Sequence, residues 1–334
     1  MTSVTQDEQL QMQVSFIIPH KGRFEMLTQT IESISKQTCD LHDIEVIVVS
    51  QTPQIQQQTL LESPKFSLTV CIRPESDTIS ALRNYGVTQA KGQYLAFLDA
   101  DVWLSSNWTQ QMIAELATDP DRIISSAMQI CDDNAPPLEQ IRTSLSNAEI
   151  DTDVAFLPGR NLFLRKTSFD KIGGFPEHLI TCEDYFFTDK AAKLGKLFYT
   201  SAATYVHLGE DKAYKAMFDK EIWRGQSNLQ SISGRNIPLR EWPSFIAPPA
   251  IVFMFALALL LTVFGQASLA FIAFLVAVLP IFVYSLRLFA LAHKKINFVC
   301  IVKFYVCYFP ARAIGTLLGL FKSIGVKNIK DTHL

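Results

Sequence analysis

The feature that most constrains this chain is a run of 42 residues, 245–286, that contains no charged side chain. Residues 245–264 would form a helix of about 30 Å, which matches the apolar core of a bilayer. After a short polar break at 265–268, residues 269–286 are long enough to cross back. We therefore predict two membrane spans, at about 245–264 and 269–286. A buried helical hairpin of a soluble domain is the alternative.

A third apolar stretch, 296–321, is interrupted by Lys303, Pro310 and Arg312. Lysine and arginine stems can lie along apolar surface while their charges reach water, so this stretch predicts amphipathic helices in the membrane interface. A third crossing is the alternative. It would place the C-terminus outside, against the charge rule for membrane topology.

The charge of the chain is unevenly distributed. Residues 287–334 carry eight Lys and Arg against a single acid, so this tail is +7 and the rest of the chain is −9. Cationic residues stay on the cytoplasmic side, so we expect a multi-pass protein of a bacterial inner membrane with a cytoplasmic body. The basic tail predicts contact with anionic lipids, and the acidic body does not favour nucleic-acid binding.

The cysteines and the N-terminus agree with this location. Six cysteines are scattered without a CxxC pair, so we expect reduced thiols and neither a disulfide framework nor a zinc site. Residues 1–12 are polar and lack the layout of a signal peptide. The predicted organisation is therefore a polar tail at 1–12, a catalytic domain at 13–240 and a membrane domain at 241–334.

The body alternates apolar strands with helices. Short apolar runs predict buried strands, and helical spacing predicts helices at 23–37, 80–90 and 183–194. This alternation is typical of a mostly parallel α/β sheet with helices on both faces, whose ligands lie at the carboxyl ends of the strands. Residues 132–153 predict a variable excursion. The predicted strands are 14–18, 44–49, 68–72, 94–98, 123–130, 156–165 and 202–207.

The strand at 94–98 runs into two carboxylates separated by one residue, Asp99 and Asp101. Side chains alternate along a strand, so both acids can point the same way at its end. Two carboxylates there could hold a divalent cation, and the cation could hold a pyrophosphate. A strand followed by a polar turn is the alternative.

Three blocks of sequence, in this order and at this spacing, resemble a family 2 glycosyltransferase with the GT-A fold. They are VSFIIPHKGR from residue 14, ALRNYGVTQAKGQYLAFLDAD from residue 81, and FLPGRNLFLRKTSFDKIGGFPEHLITCED from residue 156. The resemblance extends over about 14–209. It implies a nucleotide-sugar donor, a divalent Mn²⁺ or Mg²⁺, and inversion at the anomeric carbon.

The resemblance also implies roles for individual residues. Asp184 would be the general base that takes the proton of the acceptor hydroxyl, and Glu183 beside it would orient the acceptor. Helix-terminal acids, a helix-surface arginine at Arg83 and a strand-edge histidine at His207 are the alternatives. The implied positions are, for the metal, Asp99, Asp101 and His207; for the donor, Pro19, His20, Gln51, Arg83, Asp99 and Asp101; and for the acceptor, Gly159, Arg160 and Asn161.

The sequence departs from the family pattern in two places. Ser50 and Gln51 stand where many relatives have acids that recognise uracil; glutamine still accepts and donates hydrogen bonds, so a UDP donor is possible. The QxxRW motif of processive synthases is absent, and WRGQSNL from residue 223 resembles it only loosely, which favours addition of a single sugar.

We therefore expect a membrane-bound inverting glycosyltransferase of the hexosyltransferase type. It would move one sugar to a lipid-linked or membrane-proximal saccharide acceptor in cell-surface glycan biosynthesis. The alternatives are a polyprenyl-phosphate glycosyltransferase, a glycoside hydrolase, and a catalytically silent relative that binds partners at the membrane.

Overall fold

The computed structural model describes residues 13–53, 55, 65–226, 239 and 242–330, with side chains described as far as residue 321. The predicted N-terminal tail at 1–12 and residues 227–229 of the WRGQSNL segment lie outside the described residues. The chain divides into two compact units. The first comprises Met1–Ile130 and Glu149–Gly209, and the second comprises Cys131–Ala148 and Glu210–Leu334.

The first unit is built on one mixed sheet. Its order is β3-β2-β1-β4-β8-β6-β9-β5, with β7 also pairing with β9. Strands β3, β2, β1 and β4 are parallel neighbours, and β8 runs antiparallel between β4 and β6. The strands are β1 (Val14–His20), β2 (Ile44–Ser50), β3 (Ser67–Ile72), β4 (Tyr94–Leu98), β5 (Val102–Leu104), β6 (Arg122–Ile130), β7 (Thr152–Val154), β8 (Asn161–Arg165) and β9 (Lys196–His207).

Helices cover both faces of this sheet, as predicted. Phe16 packs with Leu27 of α1 on one face, whereas its neighbour Ile17 packs with Leu82 of α2 on the other, because successive strand residues alternate. The helices of this unit are α1 (Phe24–Ser35), α2 (Ile79–Gln89), α3 (Trp108–Thr118), α5 (Lys166–Ile172) and α6 (Glu183–Ala192), while α4 (Pro137–Ser146) belongs to the second unit.

Strand β1 continues two residues past its predicted end at Ile18. Pro19 stays in register with Val49 of β2, whereas the last pair with β4 is Ile17 with Phe97. Pro19 thus lies beyond the last residue of β1 that pairs with β4. Although proline has no N–H to donate, the pairing of β1 with β4 therefore loses no hydrogen bond. The backbone N–H of Gln51 then donates to the carbonyl of His20 at 2.9 Å, which gathers the ends of β1 and β2 at one edge.

Other boundaries differ from the sequence-based expectation. The polar excursion 132–153 contains helix α4 and part of strand β7, because Leu138 and Ile141 provide a buried face for α4. The expected strand 156–165 is regular only from Asn161 onward. The last strand begins at Lys196 instead of residue 202, since β6 and β7 pair with its first half.

The second unit contains α4, α7 (Tyr214–Gly225), α8 (Trp242–Val263), α9 (Ala267–Leu291) and α10 (Phe298–Lys330). Among the described residues, three helical segments are long and apolar enough to cross a membrane: α8, α9 and Phe298–Phe321 of α10. Helices α8 and α9 coincide with the two predicted spans. The third apolar stretch forms one continuous helix that passes through Pro310.

Candidate active site

The backbone around Asp99 and Asp101 is held from both sides at the end of β4. The N–H of Asp99 donates to the carbonyl of Arg160 at 3.2 Å, and the N–H of Leu208 donates to the carbonyl of Asp101 at 2.8 Å. Val102 pairs with His207 across β5 and β9. The antiparallel pairing of two strands distant in sequence therefore brings the predicted metal ligand His207 beside Asp101.

The Asp101 carboxylate contacts a cationic side chain and an imidazole. Arg23 Nη1 donates to Asp101 Oδ2 at 2.8 Å, and His207 Nε2 lies 3.4 Å from Oδ1. A Cβ on Gly209 would fall 2.2 Å from Oδ2, so any larger residue at this position would have to displace the carboxylate. Arg23 is not among the residues predicted from the sequence. Its only signal was its place directly after the first strand, within the VSFIIPHKGR block.

Arg83 is the centre of the second part of the site. Its guanidinium donates through Nη2 to Asp99 Oδ1 and through Nη1 to Glu183 Oε1, both at 2.9 Å. Nη2 also reaches the carbonyl of Gly159 at 3.3 Å. With 1% exposure, Arg83 is not the helix-surface arginine of the alternative interpretation. It joins the Asp-x-Asp segment to the Glu-Asp segment from within the fold.

Asp184 lies in the first turn of α6, against the turn that carries Gly159. Its Oδ2 accepts the N–H of Gly159 at 3.1 Å, and its Oδ1 accepts the N–H of Tyr185 at 2.8 Å. Cys182 enters the helix with a left-handed φ of 64°. Two backbone donors hold the carboxylate in place, so Asp184 has the fixed position that a general base requires.

The three predicted acceptor positions differ in their surroundings. A Cβ on Gly159 would lie 2.9 Å from Arg83 Nη2, so glycine allows the buried arginine to approach. Arg160 donates to Tyr205 Oη at 2.8 Å and to Gln129 Oε1 at 2.9 Å. Asn161 is fully buried and accepts the N–H of Ala127 at 3.3 Å, which supports the contact of β8 with β6.

The donor-side residues at the ends of β1 and β2 are also buried. A 2.9 Å hydrogen bond joins His20 Nδ1 to Ser50 Oγ, and His20 Nε2 has no hydrogen-bond partner among the described residues. Burial lowers the pKa of His20, so the ring is neutral at pH 7. Gln51 Nε2 donates to the carbonyls of Pro74 and Asp77, both at 2.9 Å. Its amide oxygen is therefore the group left for a ligand.

Glu183 is an unusual acid. Burial, followed by the charge of Asp184, raises its pKa to about 7, although Arg83 opposes the shift. A carboxyl group whose pKa is higher in the folded state than in the unfolded state favours folding while it is protonated. This contribution is present at acidic pH and is lost as the pH rises from about 4.5 to about 7.

We therefore expect Glu183→Gln to flatten part of the pH dependence of stability. The free energy of unfolding of the parent chain should fall more steeply between about pH 4.5 and 7 than that of the variant. Chemical denaturation at a series of pH values checks this. Glu177→Gln, an exposed acid of the same segment, is the control and should keep the parent slope. Equal slopes for Glu183→Gln and the parent would contradict the assignment.

The residues at Asp101 fit a divalent cation in their donor chemistry. A carboxylate and an imidazole face each other there, and Mn²⁺ and Mg²⁺ favour carboxylate oxygen while imidazole suits transition metals. Asp99 is 32% exposed, so its carboxylate is open to solvent. The described residues contain no ready group of three or more His, Cys, Asp or Glu side chains in metal-binding arrangement.

Comparison with known proteins supports the resemblance seen in the sequence. The family model Glycosyl transferase family 2 matches residues 15–173. Glycosyltransferase AglE of Haloferax volcanii is 25% identical over 190 residues, which cover 54% of this chain and 62% of that protein. Poly(ribitol-phosphate) beta-glucosyltransferase of Bacillus spizizenii is 23% identical over 57% of this chain and 31% of its own length. The chain thus spans less than two thirds of these curated relatives.

A solved structure supports the fold. Mannosyltransferase PcManGT from Pyrobaculum calidifontis, in complex with GDP-Man and Mn²⁺, superimposes with a TM-score of 0.60 at 17% identity. The match covers 91% of this chain and 87% of that one. It confirms the predicted GT-A architecture followed by C-terminal apolar helices. The sequence blocks, the match of the family model over residues 15–173 and this fold together support a family 2 glycosyltransferase.

Proposed function

We propose that this protein is a membrane-bound inverting glycosyltransferase that moves one sugar from a nucleotide-sugar donor to a lipid-linked or membrane-proximal saccharide. The observation that carries the proposal is the placement of Arg83, which contacts both Asp99 and Glu183 at 2.9 Å. Arg83 thereby connects the Asp99–Asp101 segment, which suits a donor diphosphate, to the Glu183–Asp184 segment, which suits an acceptor. These two groups are 84 residues apart in sequence (residues 99 and 183).

The roles follow from charge and position. Asp184 would take the proton of the attacking hydroxyl, because its carboxylate is held by two backbone N–H groups at the strand edge. Attack from the side of the base, opposite to the leaving diphosphate, inverts the anomeric carbon. Arg23 is 62% exposed beside Asp101 and can offset charge on the diphosphate.

A divalent cation would be held by Asp101 with His207 and Asp99. Such a cation, when bound, neutralises the charge that develops on a departing nucleoside diphosphate. Asp101→Asn should therefore weaken donor binding in the presence of Mn²⁺ more than in its absence. The Mn²⁺ and GDP-Man of the Pyrobaculum calidifontis structure support a metal and a nucleotide sugar here.

The membrane helices support an acceptor that is itself in or near the membrane, since confinement raises its effective concentration. The beta-glucosyltransferase relative, named for a poly(ribitol-phosphate), supports cell-surface glycan assembly as the setting. A bacterial inner membrane with the catalytic domain in the cytoplasm follows from the positive-inside rule.

Nucleoside diphosphate release tests the function. The full chain, purified in detergent, would be incubated with common nucleotide sugars, Mn²⁺ and a membrane lipid extract. We expect release that requires both donor and extract, with a glycosylated lipid as product. An acid-labile sugar phosphate in the product would instead identify a polyprenyl-phosphate acceptor. Failure of every donor to release nucleoside diphosphate would overturn the proposal.

The geometry of Gln51 gives an expectation for the base of the donor. Because its two amide hydrogens are used by backbone carbonyls, it presents an acceptor oxygen, which suits bases that carry a ring N–H. UDP-, dTDP- or GDP-sugars should therefore raise the melting temperature more than CMP-sugars in a thermal-shift screen with Mn²⁺. A largest shift with a CMP-sugar would contradict this role for Gln51.

A further inference from the structure

Helix α7 lies along α10 within the second unit. Near its start, Tyr214 Oη donates to the carbonyl of Cys300 at 3.3 Å, and Lys303 Nζ lies 4.4 Å from the centre of the Tyr214 ring. Near its end, Glu221 pairs with Arg312 at 3.5 Å. The contact therefore begins at the start of the apolar segment of α10.

The two helices touch backbone to backbone further along. A Cβ on Gly315 would lie 2.3 Å from the carbonyl oxygen of Ile222, and one on Gly319 would lie 2.1 Å from that of Gln226. Glycines four residues apart occupy one helix face and permit this approach. Helix α7 and the residue after it thus follow α10 from Cys300 to Gly319, almost all of its apolar segment.

Helix α7 is too polar to enter hydrocarbon. Lys215 and Asp219 are exposed on its outer side. Its buried acid, Glu221, is bonded by Arg142 Nη2 at 2.5 Å and by Arg224 Nη1 at 2.7 Å. Burial by itself would raise the pKa of Glu221, but the three arginines around it lower the pKa to about 2, so it is ionised.

The side of α10 that faces away carries apolar groups. Val299, Val306, Leu317 and Phe321 are spaced by 7, 11 and 4 residues, which places them on one face of a helix, and they are 71%, 50%, 46% and 67% exposed. Helix α7 and its charges therefore cover one side of α10, and α8 and α9 also pack against it. The side chains that stay exposed on the side away from α7 are mainly apolar, and Lys303 lies at the edge of this face, next to Tyr214.

We propose that α10 lies on the surface of the bilayer with this apolar face in the lipid, so that only α8 and α9 cross the membrane. If residues 298–321 crossed, α7 would be carried to the same depth with its charged side chains, at a cost that transmembrane segments avoid. A surface position leaves α7 in water. It also lets Lys303 reach anionic headgroups, and it continues the membrane contact of the adjacent span α9.

The proposal fixes the side of the C-terminus. With two crossings, residue 334 lies on the same side of the membrane as α7. With three, it lies on the opposite side. This outcome does not depend on the proposed transferase activity, so the two can fail separately.

Reporter fusions to the full chain in a bacterial host test the topology. Green fluorescent protein fused after Leu334 should fluoresce, and alkaline phosphatase at the same position should be inactive. Phosphatase inserted after Gln266, between the two spans, should be active. Active phosphatase after Leu334 would overturn the proposal.

Cysteine labelling tests the depth of the two helices directly. A membrane-impermeant maleimide, applied to the α7 side of membrane vesicles, should label Asp219→Cys above the background of the six native cysteines. Val306→Cys and the span control Leu260→Cys should both be protected by lipid and become labelled in detergent. Protection of Asp219→Cys, or free labelling of Val306→Cys in membranes, would contradict the surface arrangement.

Discussion

Asp184→Asn should lower the turnover number by about 10³-fold, within the range that a positioned general base contributes. The amide has the shape of the carboxylate and can still accept the N–H of Gly159, which the native side chain does at 3.1 Å. It cannot accept the proton of the acceptor hydroxyl at neutral pH. Donor affinity, measured by thermal shift with Mn²⁺, should stay near that of the parent chain.

The matched control is Asp189→Asn in the same helix. Asp189 lies five residues further along α6, is 23% exposed, and pairs with the exposed Lys193 at 2.9 Å. The control therefore makes the same chemical change in the same helix. Its turnover should be that of the parent. Two results would reject the role of Asp184: turnover within tenfold of the parent, or an equal loss in both variants.

Arg83→Met should be the most destabilising substitution considered. Removal of the guanidinium leaves Asp99 and Glu183 without the cation that each contacts at 2.9 Å. Loss of one partner from a buried ion pair typically costs about 3–5 kcal/mol of unfolding free energy, because the remaining acid must either bind a proton or stay charged without its partner. For a domain of this size that is a drop of roughly 6–20 °C in melting temperature. Activity should be lost with it.

The double variant Arg83→Met/Glu183→Gln separates stability from function. Glu183→Gln removes the buried acid that has lost its partner, so part of the melting temperature should return while activity stays low. Lys196→Met, which breaks a surface pair with Asp119, should melt like the parent. If Arg83→Met melted like the parent, the buried cluster would have no part in holding the site.

The local sequence pattern was sufficient to predict many of the strands and helices, and to predict that Asp99 and Asp101 follow β4. Apolar runs and helical spacing predicted the parallel strands β1 to β4 and helices α1 and α2, because the period of burial reflects local backbone geometry. The 42 uncharged residues at 245–286 predicted α8 and α9 for the same reason, since length and polarity alone determine whether a segment suits a bilayer.

Contacts between segments that are far apart in the chain could not be predicted from local sequence patterns. Arg83 was assigned to the donor, but its hydrogen bonds to Asp99 and Glu183 could not be inferred from the sequence. Arg23 was not considered, although it binds Asp101. Each contact depends on how strands and helices far apart in the chain pair and cross, and no periodicity within one segment encodes that.

The third apolar stretch shows most clearly which conclusions follow from composition and which need the tertiary structure. Composition alone shows that residues 298–321 are apolar enough to meet a membrane, because hydropathy depends only on which residues are present. It left open whether they cross. The tertiary structure adds that the polar helix α7 lies along them, with Gly315 against Ile222 and Arg312 against Glu221. The proposed surface position rests on this packing partner, because carrying the charged side chains of α7 into hydrocarbon would be costly.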